Sequence, residues 1–188
     1  AIATGAFASE LVAVTVKTRA GEVVVDTDEA PGKGRPDKIP TLKPAFSKDG
    51  TITAATSSSI SDGAAAMVLT RASVAAAKGL TPVARIVAVS GHAQEPAKFT
   101  TAPVGAITKL MEKAGWNLAD VDLFEINEAF ACVAMFAMHD LGIPHDKVNV
   151  NGGATALGHP IGASGTRIIT MTITDFHGNF NGLDKCWV

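Results

Sequence analysis

The chain has 188 residues, 47% of them hydrophobic, with a mean hydropathy of +0.24, which is enough apolar material for a substantial core and excludes a disordered segment. Its 16 basic residues are matched by 18 acidic ones, so there is no electrostatic footprint for nucleic acid or for an anionic membrane. Two cysteines, Cys132 and Cys186, are too few for a disulfide framework, and no apolar run nears the roughly 20 residues of a membrane span; with no signal-like opening, the expected setting is the cytoplasm or an organelle matrix.

Residues 10–28 alternate apolar and polar positions, with Val12, Val14 and Val16 and then Val23 and Val25 flanking Arg19-Ala20-Gly21-Glu22, and this pattern predicts a β-hairpin. Residues 29–44 carry Pro31, Gly32, Gly34, Pro36, Pro40 and Pro44 among basic side chains, so regular structure is not expected there. A Ser/Thr cluster over 56–61 precedes Asp62-Gly63 and the apolar run 64–69, which suits a buried strand. Thr70 can cap a helix over 71–78 that Gly79 ends. A second unit opens with a strand over 83–89 and a helix over 103–114, where Ile107, Leu110, Met111 and Ala114 recur at helical spacing before Gly115. A strand over 121–126, a helix over 128–141, a strand over 147–150 and a glycine-rich loop into a helix over 161–170 follow. This alternation is the signature of an α/β layered fold with parallel strands.

Two parallel strands joined through one helix open at the same sheet edge, which is where ligands bind in open α/β sheets. Asn127 directly follows the first strand, at the expected cap of the next helix, while the second runs into Asn151-Gly152-Gly153 and on to Gly158-His159-Pro160. Asn127 and His159 are therefore the candidates to converge. Each also has a plainer role, Asn127 as a helix cap and His159 as a structural residue before a proline. The setting of His159 distinguishes it. Gly152, Gly153, Gly158, Gly162 and Gly165 let backbone approach a ligand and aim its amides inward, and imidazole titrates near neutral pH as a general base requires. His139 and His145 have no carboxylate or cysteine partners at ligand spacing, so no metal site is expected. The glycine loop also lacks the Gly-Lys-Ser/Thr ending of a phosphate loop.

The stretch from Asn149 to Arg167, containing Gly158-His159-Pro160, resembles the thiolase signature, and Asn127-Glu128-Ala129-Phe130 is similar to that family's Asn-Glu-Ala-Phe motif. The resemblance runs from about Glu10 through Ile169 and includes the hairpin, Leu42-Lys43-Pro44-Ala45-Phe46 and Ser61-Asp62-Gly63-Ala64-Ala65-Ala66. It implies the back half of a thiolase, an α/β layered fold with a mixed, partly parallel sheet, truncated. On this resemblance 1–49 is a loop-domain remnant, 50–79 the final segment of the N-terminal domain, 80–170 the C-terminal domain and 171–188 a tail that departs from the family pattern. The implied activity is acyl-CoA acyltransfer, the thiolysis or Claisen condensation of short 3-ketoacyl-CoA through a cysteine thioester. Coenzyme A is then substrate, no cofactor is covalently bound, and the implied assembly is a homodimer or homotetramer. The resemblance gives His159 the activation of the nucleophilic cysteine and a hydrogen bond to a thioester oxygen. It gives Asn127 a water in the oxyanion hole and Ser58 a contact with pantetheine. Phe130 and Leu157, with Ala129, would line the coenzyme A tunnel, and Gly152, Gly153 and Gly158 would supply loop backbone.

The family's nucleophilic cysteine and its second cysteine, in a Cys-x-Gly-Gly-Gly turn, match no residue of this chain. Cys132 lies on an apolar helix face and reads as core, and Cys186 lacks flanking glycines. The loop Ala55-Thr56-Ser57-Ser58-Ser59 departs from the family's Gly/Ala-Asn-Ala-Ser pattern. Three readings stay open: a thiolase polypeptide seen in part, a β-ketoacyl synthase, and a non-catalytic chain or coenzyme A-binding subunit whose partner supplies the cysteine. A synthase would carry a histidine where Asn127 stands.

Overall fold

The structure is a computed structural model that describes residues 1–179 and 186–187, with side chains described through Thr174. Residues 180–185 and 188 of the tail expected over 171–188, and the Cys186 thiol, therefore lie outside the described residues.

The valine alternation near the start folds as expected. Strand β1 (Val14–Thr18) pairs antiparallel with β2 (Gly21–Val25), Val14 opposite Val25 and Thr18 opposite Gly21. Gly21 takes φ +125, a conformation that glycine adopts without steric cost. Both faces of this hairpin are exposed. The proline-rich stretch forms two short 3₁₀ turns, Pro31–Lys33 and Pro36–Thr41, each with proline in its first turn, where the missing amide costs nothing. Helix α1 (Ala72–Ala77) begins after Arg71, which makes no side-chain cap, so Thr70 does not have the capping role expected of it.

The expected strands over 64–69 and 83–89 are absent as regular elements. No ladder forms along either run among the described residues, and Val68 and Val89 are 93% and 66% exposed. Apolar, β-branched sequence favours extended backbone, but a strand needs a neighbouring backbone to pair with. Neither run joins a ladder among the described residues.

The core forms where helical periodicity meets the central strand. Helix α2 (Ala102–Ala114) turns Ile107 and Met111 inward and stops at Gly115, φ +70. Strand β3 (Val121–Leu123) follows, with Val121 and Phe124 almost wholly buried. Helix α3 (Ala131–Leu141) packs Val133, Ala134 and Ala137 on the same cluster and ends at Gly142, φ +66. The strand expected over 147–150 is reduced to one parallel bridge, Phe124 to Val148, in which the Phe124 amide donates to the Lys147 carbonyl at 2.8 Å and the Asn149 amide to the Phe124 carbonyl at 2.9 Å. On its other side β3 is parallel to β4 (Cys186–Trp187). A short helix α4 (Ala154–Leu157) then leads into α5 (Ile161–Asn179), which continues well past residue 170, where the sequence pattern places its end. The architecture is mixed α/β, with parallel pairing at its centre and α2 and α3 packed against it. Among the described residues no helix is long and apolar enough to cross a membrane.

Candidate active site

The site begins where β3 and its neighbour run out of backbone pairing. Beyond Phe124 the next rung is made by a side chain: Asn149 Oδ1 accepts the Ile126 amide at 2.8 Å and its Nδ2 donates to the Ile126 carbonyl at 2.9 Å. A primary amide presents the same donor and acceptor as a peptide group. Asn149 thereby extends the ladder while its own backbone turns away at φ +48, a left-handed conformation that asparagine tolerates better than most residues. The chain leaves the sheet on one side at Asn127 and on the other at the glycine loop.

Glu128 ties these two exits together. Its carboxylate accepts from Asn149 Nδ2 at 2.8 Å, from the Thr155 amide at 3.1 Å and from Thr155 Oγ1 at 2.5 Å. Thr155 lies in the first turn of α4, so the carboxylate also satisfies a free helix amide. Gly153 caps that helix, and a Cβ placed there would run into the Glu128 carboxylate. The glycine is required by close approach. Gly152 and Gly158 are required by conformation, with φ +97 and +86.

Asn127 and His159 meet. Asn127 Nδ2 lies 3.2 Å from His159 Nε2, and both side chains are partly buried. Asn127 Oδ1 is buried and has no hydrogen-bond partner among the described residues. On the far side of the ring, Nδ1 is 2.6 Å from Ser164 Oγ, a buried hydroxyl in the first turn of α5 that also bonds the Pro160 carbonyl at 3.1 Å. The backbone before His159 is held as well, since the Arg167 guanidinium donates to the Gly158 carbonyl at 2.8 Å. Burial pushes Arg167 below its ordinary value, while Asp28, Glu125 and Glu10 pull it back up. Asn127 is not the cap of α3, as the sequence suggested. The cap is Phe130, because it is held extended against the serine segment through its bridge to Ser57.

That segment passes directly over the site. Ser57 bridges Phe130, Ile60 bridges His159, and the His159 amide donates to the Ser59 carbonyl at 2.9 Å. Ser58 turns toward Ala129, whose carbonyl accepts both the Ser58 amide at 3.2 Å and Ser58 Oγ at 3.0 Å. Phe130 stacks edge-on against Phe46 and tilts against Phe99, each at a centroid distance of 6.0 Å, making an apolar cluster at the start of α3. Leu157, Asn127 and Gly152 border one small void behind the loop. An open cleft of about 370 Å³ lies beside His159, between residues 61–65 and 160–163, and neither Ser58, Phe130 nor Leu157 lines it.

Cys132 is half-buried, outside the core cluster where the sequence pattern placed it, because the helix turns Val133, Ala134 and Ala137 inward. His139 and His145 lie on the surface as expected, His139 against Asp140 at 2.8 Å. Among the described residues no group of three or more His, Cys, Asp or Glu side chains could hold a metal ion. Glu128, Asn149 and Ser164 were not singled out from sequence. Their only signal was position inside the two motifs, since each acts by holding another residue.

Residues 1–73 match the family pattern described as the thiolase N-terminal domain, and residues 80–181 the one described as the thiolase C-terminal domain. The chain is 49% identical over 170 residues to the acetyl-CoA acetyltransferase of Paracoccus denitrificans, covering 90% of this chain and 44% of that protein. It is 49% identical over 174 residues to that of Escherichia coli, with 92% and 44% covered. The solved acetyl-CoA acetyltransferase of Bacillus anthracis superposes with a TM-score of 0.90 at 43% identity, covering 94% of this chain and 45% of that one. A thiolase from Ascaris suum solved with coenzyme A superposes with a TM-score of 0.82 at 36% identity, covering 92% and 44%. The chain thus spans less than half the length of these relatives. With matched residues reaching from one end of the chain nearly to the other and a shared fold beneath them, the chain belongs to the thiolase family.

Proposed function

We propose that this chain carries the acid/base and oxyanion part of an acyl-CoA acyltransferase that performs thiolysis or Claisen condensation of short 3-ketoacyl-CoA. The observation that carries this reading is the 3.2 Å approach of Asn127 Nδ2 to His159 Nε2 at the open end of two parallel-bridged segments. An imidazole so placed takes the proton of an attacking thiol and returns it as the leaving group departs. A preorganised amide beside it stabilises negative charge developing on a thioester oxygen or enolate. Ser58, Ala129, Phe130 and Leu157 form the proposed pantetheine contact, a reading supported by the hold of Ser58 on the Ala129 carbonyl beside Phe130. Coenzyme A enters as substrate, a proposal supported by the Ascaris suum thiolase solved with it.

The proposed partition is 1–49, 50–79, 80–170 and a tail over 171–188; the break between the two family matches, after residue 73 and before residue 80, supports its main boundary. A homodimer or homotetramer in the cytoplasm or an organelle matrix completes the reading, without nucleic-acid or membrane partners, for which the near-balanced charge offers no footprint.

Covalent acyl transfer also requires an activated nucleophile. Neither family cysteine motif occurs in these residues, so the chain by itself is expected to be inactive. The test places residues 1–170 between the preceding and following segments of the Paracoccus denitrificans enzyme and measures acetoacetyl-CoA thiolysis. Turnover in this chimera and none in the chain alone is the expected result. A chimera folded by circular dichroism that shows no turnover overturns the reading.

A further inference from the structure

We propose that Ser164 is a positioning residue that holds neutral His159 as the Nδ1–H tautomer, keeping the Nε2 lone pair toward Asn127. The inference deepens the acyl-transfer reading and rests on it only for its chemical consequence. The starting observation is a continuous line of polar contacts, from Asn127 Nδ2 to His159 Nε2 at 3.2 Å, from His159 Nδ1 to Ser164 Oγ at 2.6 Å, and from Ser164 Oγ to the Pro160 carbonyl at 3.1 Å.

Each member of this line has a limited set of protons. A neutral imidazole has one donor nitrogen and one acceptor, and a serine hydroxyl has a single proton. An asparagine Nδ2 only donates, so Nε2 facing it must accept, and the ring proton resides on Nδ1. Nδ1 then donates to Ser164 Oγ, whose own proton goes to the Pro160 carbonyl one helical turn back, a common bond for a helical serine. Each group in the line then donates one proton to the next. Turning the Asn127 amide over would make Nε2 the donor and reverse the line, but it would leave Nδ2 in the buried position now held by the unpartnered Oδ1. A buried amide without an acceptor is rarer in folded proteins than an under-satisfied carbonyl oxygen. The orientation present is the better satisfied one.

Ser164 is suited to this task by its place. It is buried, it lies in the first turn of a long helix, and Pro160 just before that helix fixes the entry of the chain. The Pro160 carbonyl also receives the Ala163 and Ser164 amides at 2.8 and 2.9 Å, so the acceptor at the end of the line is itself held in place. An imidazole free in water favours the opposite, Nε2–H tautomer, in which the nitrogen facing Asn127 would have no lone pair to take a thiol proton. Retaining Nδ1–H thus requires an acceptor at Nδ1, and Ser164 Oγ supplies it.

The experiment is two-bond ¹H–¹⁵N correlation spectroscopy on the ¹⁵N-histidine-labelled 188-residue chain, in solution or by magic-angle spinning if it self-associates. It is run at about pH 9, above the ordinary imidazole range near 6.5, and His159 is assigned by its loss in His159→Asn. The expected result is a pyridine-type shift for Nε2 and a pyrrole-type shift for Nδ1. In Ser164→Ala, which removes the acceptor at Nδ1, the Asn127 amide should turn over to accept from Nε2 and the pattern should move to Nε2–H, while the hydroxyl-bearing Ser164→Thr should retain Nδ1–H. An Nε2–H ring in the unsubstituted chain overturns the proposal whatever the variants do, and so does a Ser164→Ala variant, folded by circular dichroism, that keeps Nδ1–H. Neither outcome depends on turnover. Failure of the chimera assay bears on the acyl-transfer reading, and failure here bears on Ser164 alone.

Discussion

Gly158 and Gly152 sit in the same loop under different constraints. Gly158 has φ +86, and a Cβ there would meet the Ser61 and Ser59 side chains, whereas Gly152 has φ +97 with open space around it. Alanine at Gly152 should therefore cost only left-handed strain, about 1 kcal/mol, while alanine at Gly158 adds a clash and should cost about 3 kcal/mol. Urea unfolding of both variants measures the difference, and equal losses would contradict the close approach. Glu128 offers a parallel case. Three donors converge on its carboxylate, so Glu128→Ala should lose about 2–3 kcal/mol by the same measurement. In the chimera, Asn127→Ala should lower kcat by about 10²–10³ through lost oxyanion stabilisation, and His159→Ala by about 10²–10⁴ through lost proton transfer. Intact turnover in either variant removes that residue from the chemistry.

Strand β3 is short for an element on which so much depends. Its three residues are supported less by ladder length than by what Val121 and Phe124 bury against α2 and α3. Phe124 pairs with Val148 through its backbone and fills the core with its ring, so it sets both the height at which Asn127 emerges and the packing beneath it. Phe124→Ala should cost about 3–5 kcal/mol, a large part of the stability of a domain this size. Calorimetry reads it as a lowered or absent transition. The start of α3 shows tertiary contact overriding local preference. An Asn-Glu pair ahead of an apolar run looks like a cap and first turn, yet Asn127, Glu128 and Ala129 stay outside the helix. Ser58 holds the Ala129 carbonyl with two bonds and Phe130 packs between Phe46 and Phe99. Those contacts come from far along the chain, where local capping rules do not reach.

The molecule as a whole leaves much of its apolar sequence uncovered. Ile60, Val68 and Val89 are 99%, 93% and 66% exposed, and the runs holding Val68 and Val89, which the sequence marks as strands, find no ladder among the described residues. Burying each such side chain is worth about 1.5–3 kcal/mol, and extended backbone outside a ladder is a template for further pairing. The 188-residue chain is therefore expected to self-associate at micromolar concentration, with light scattering after gel filtration showing species larger than a monomer. A monodisperse monomer would contradict this. The same surface explains how a chain with ample apolar composition keeps a modest core, centred on the contacts among α2, β3 and α3.

Features that depend on neighbours along the chain are legible in the sequence itself. The hairpin, the ends of α2 at Gly115 and of α3 at Gly142, and the glycine loop follow from periodicity and from the left-handed freedom of glycine, which are properties of a few consecutive residues. The convergence of Asn127 and His159 is legible one step further, because two parallel strands joined through a helix must open at one edge. Residues that act by holding others are not legible. Asn149 completes a ladder with its side chain, Glu128 joins two exits from the sheet, and Ser164 meets the far nitrogen of the imidazole. A hydroxyl, an amide or a carboxylate has no periodicity of its own, and its partner is chosen by which backbone lies within about 3 Å after folding. The same reason governs the apolar runs over 64–69 and 83–89: extended backbone is a local preference, but a strand exists only when a second segment arrives to pair with it.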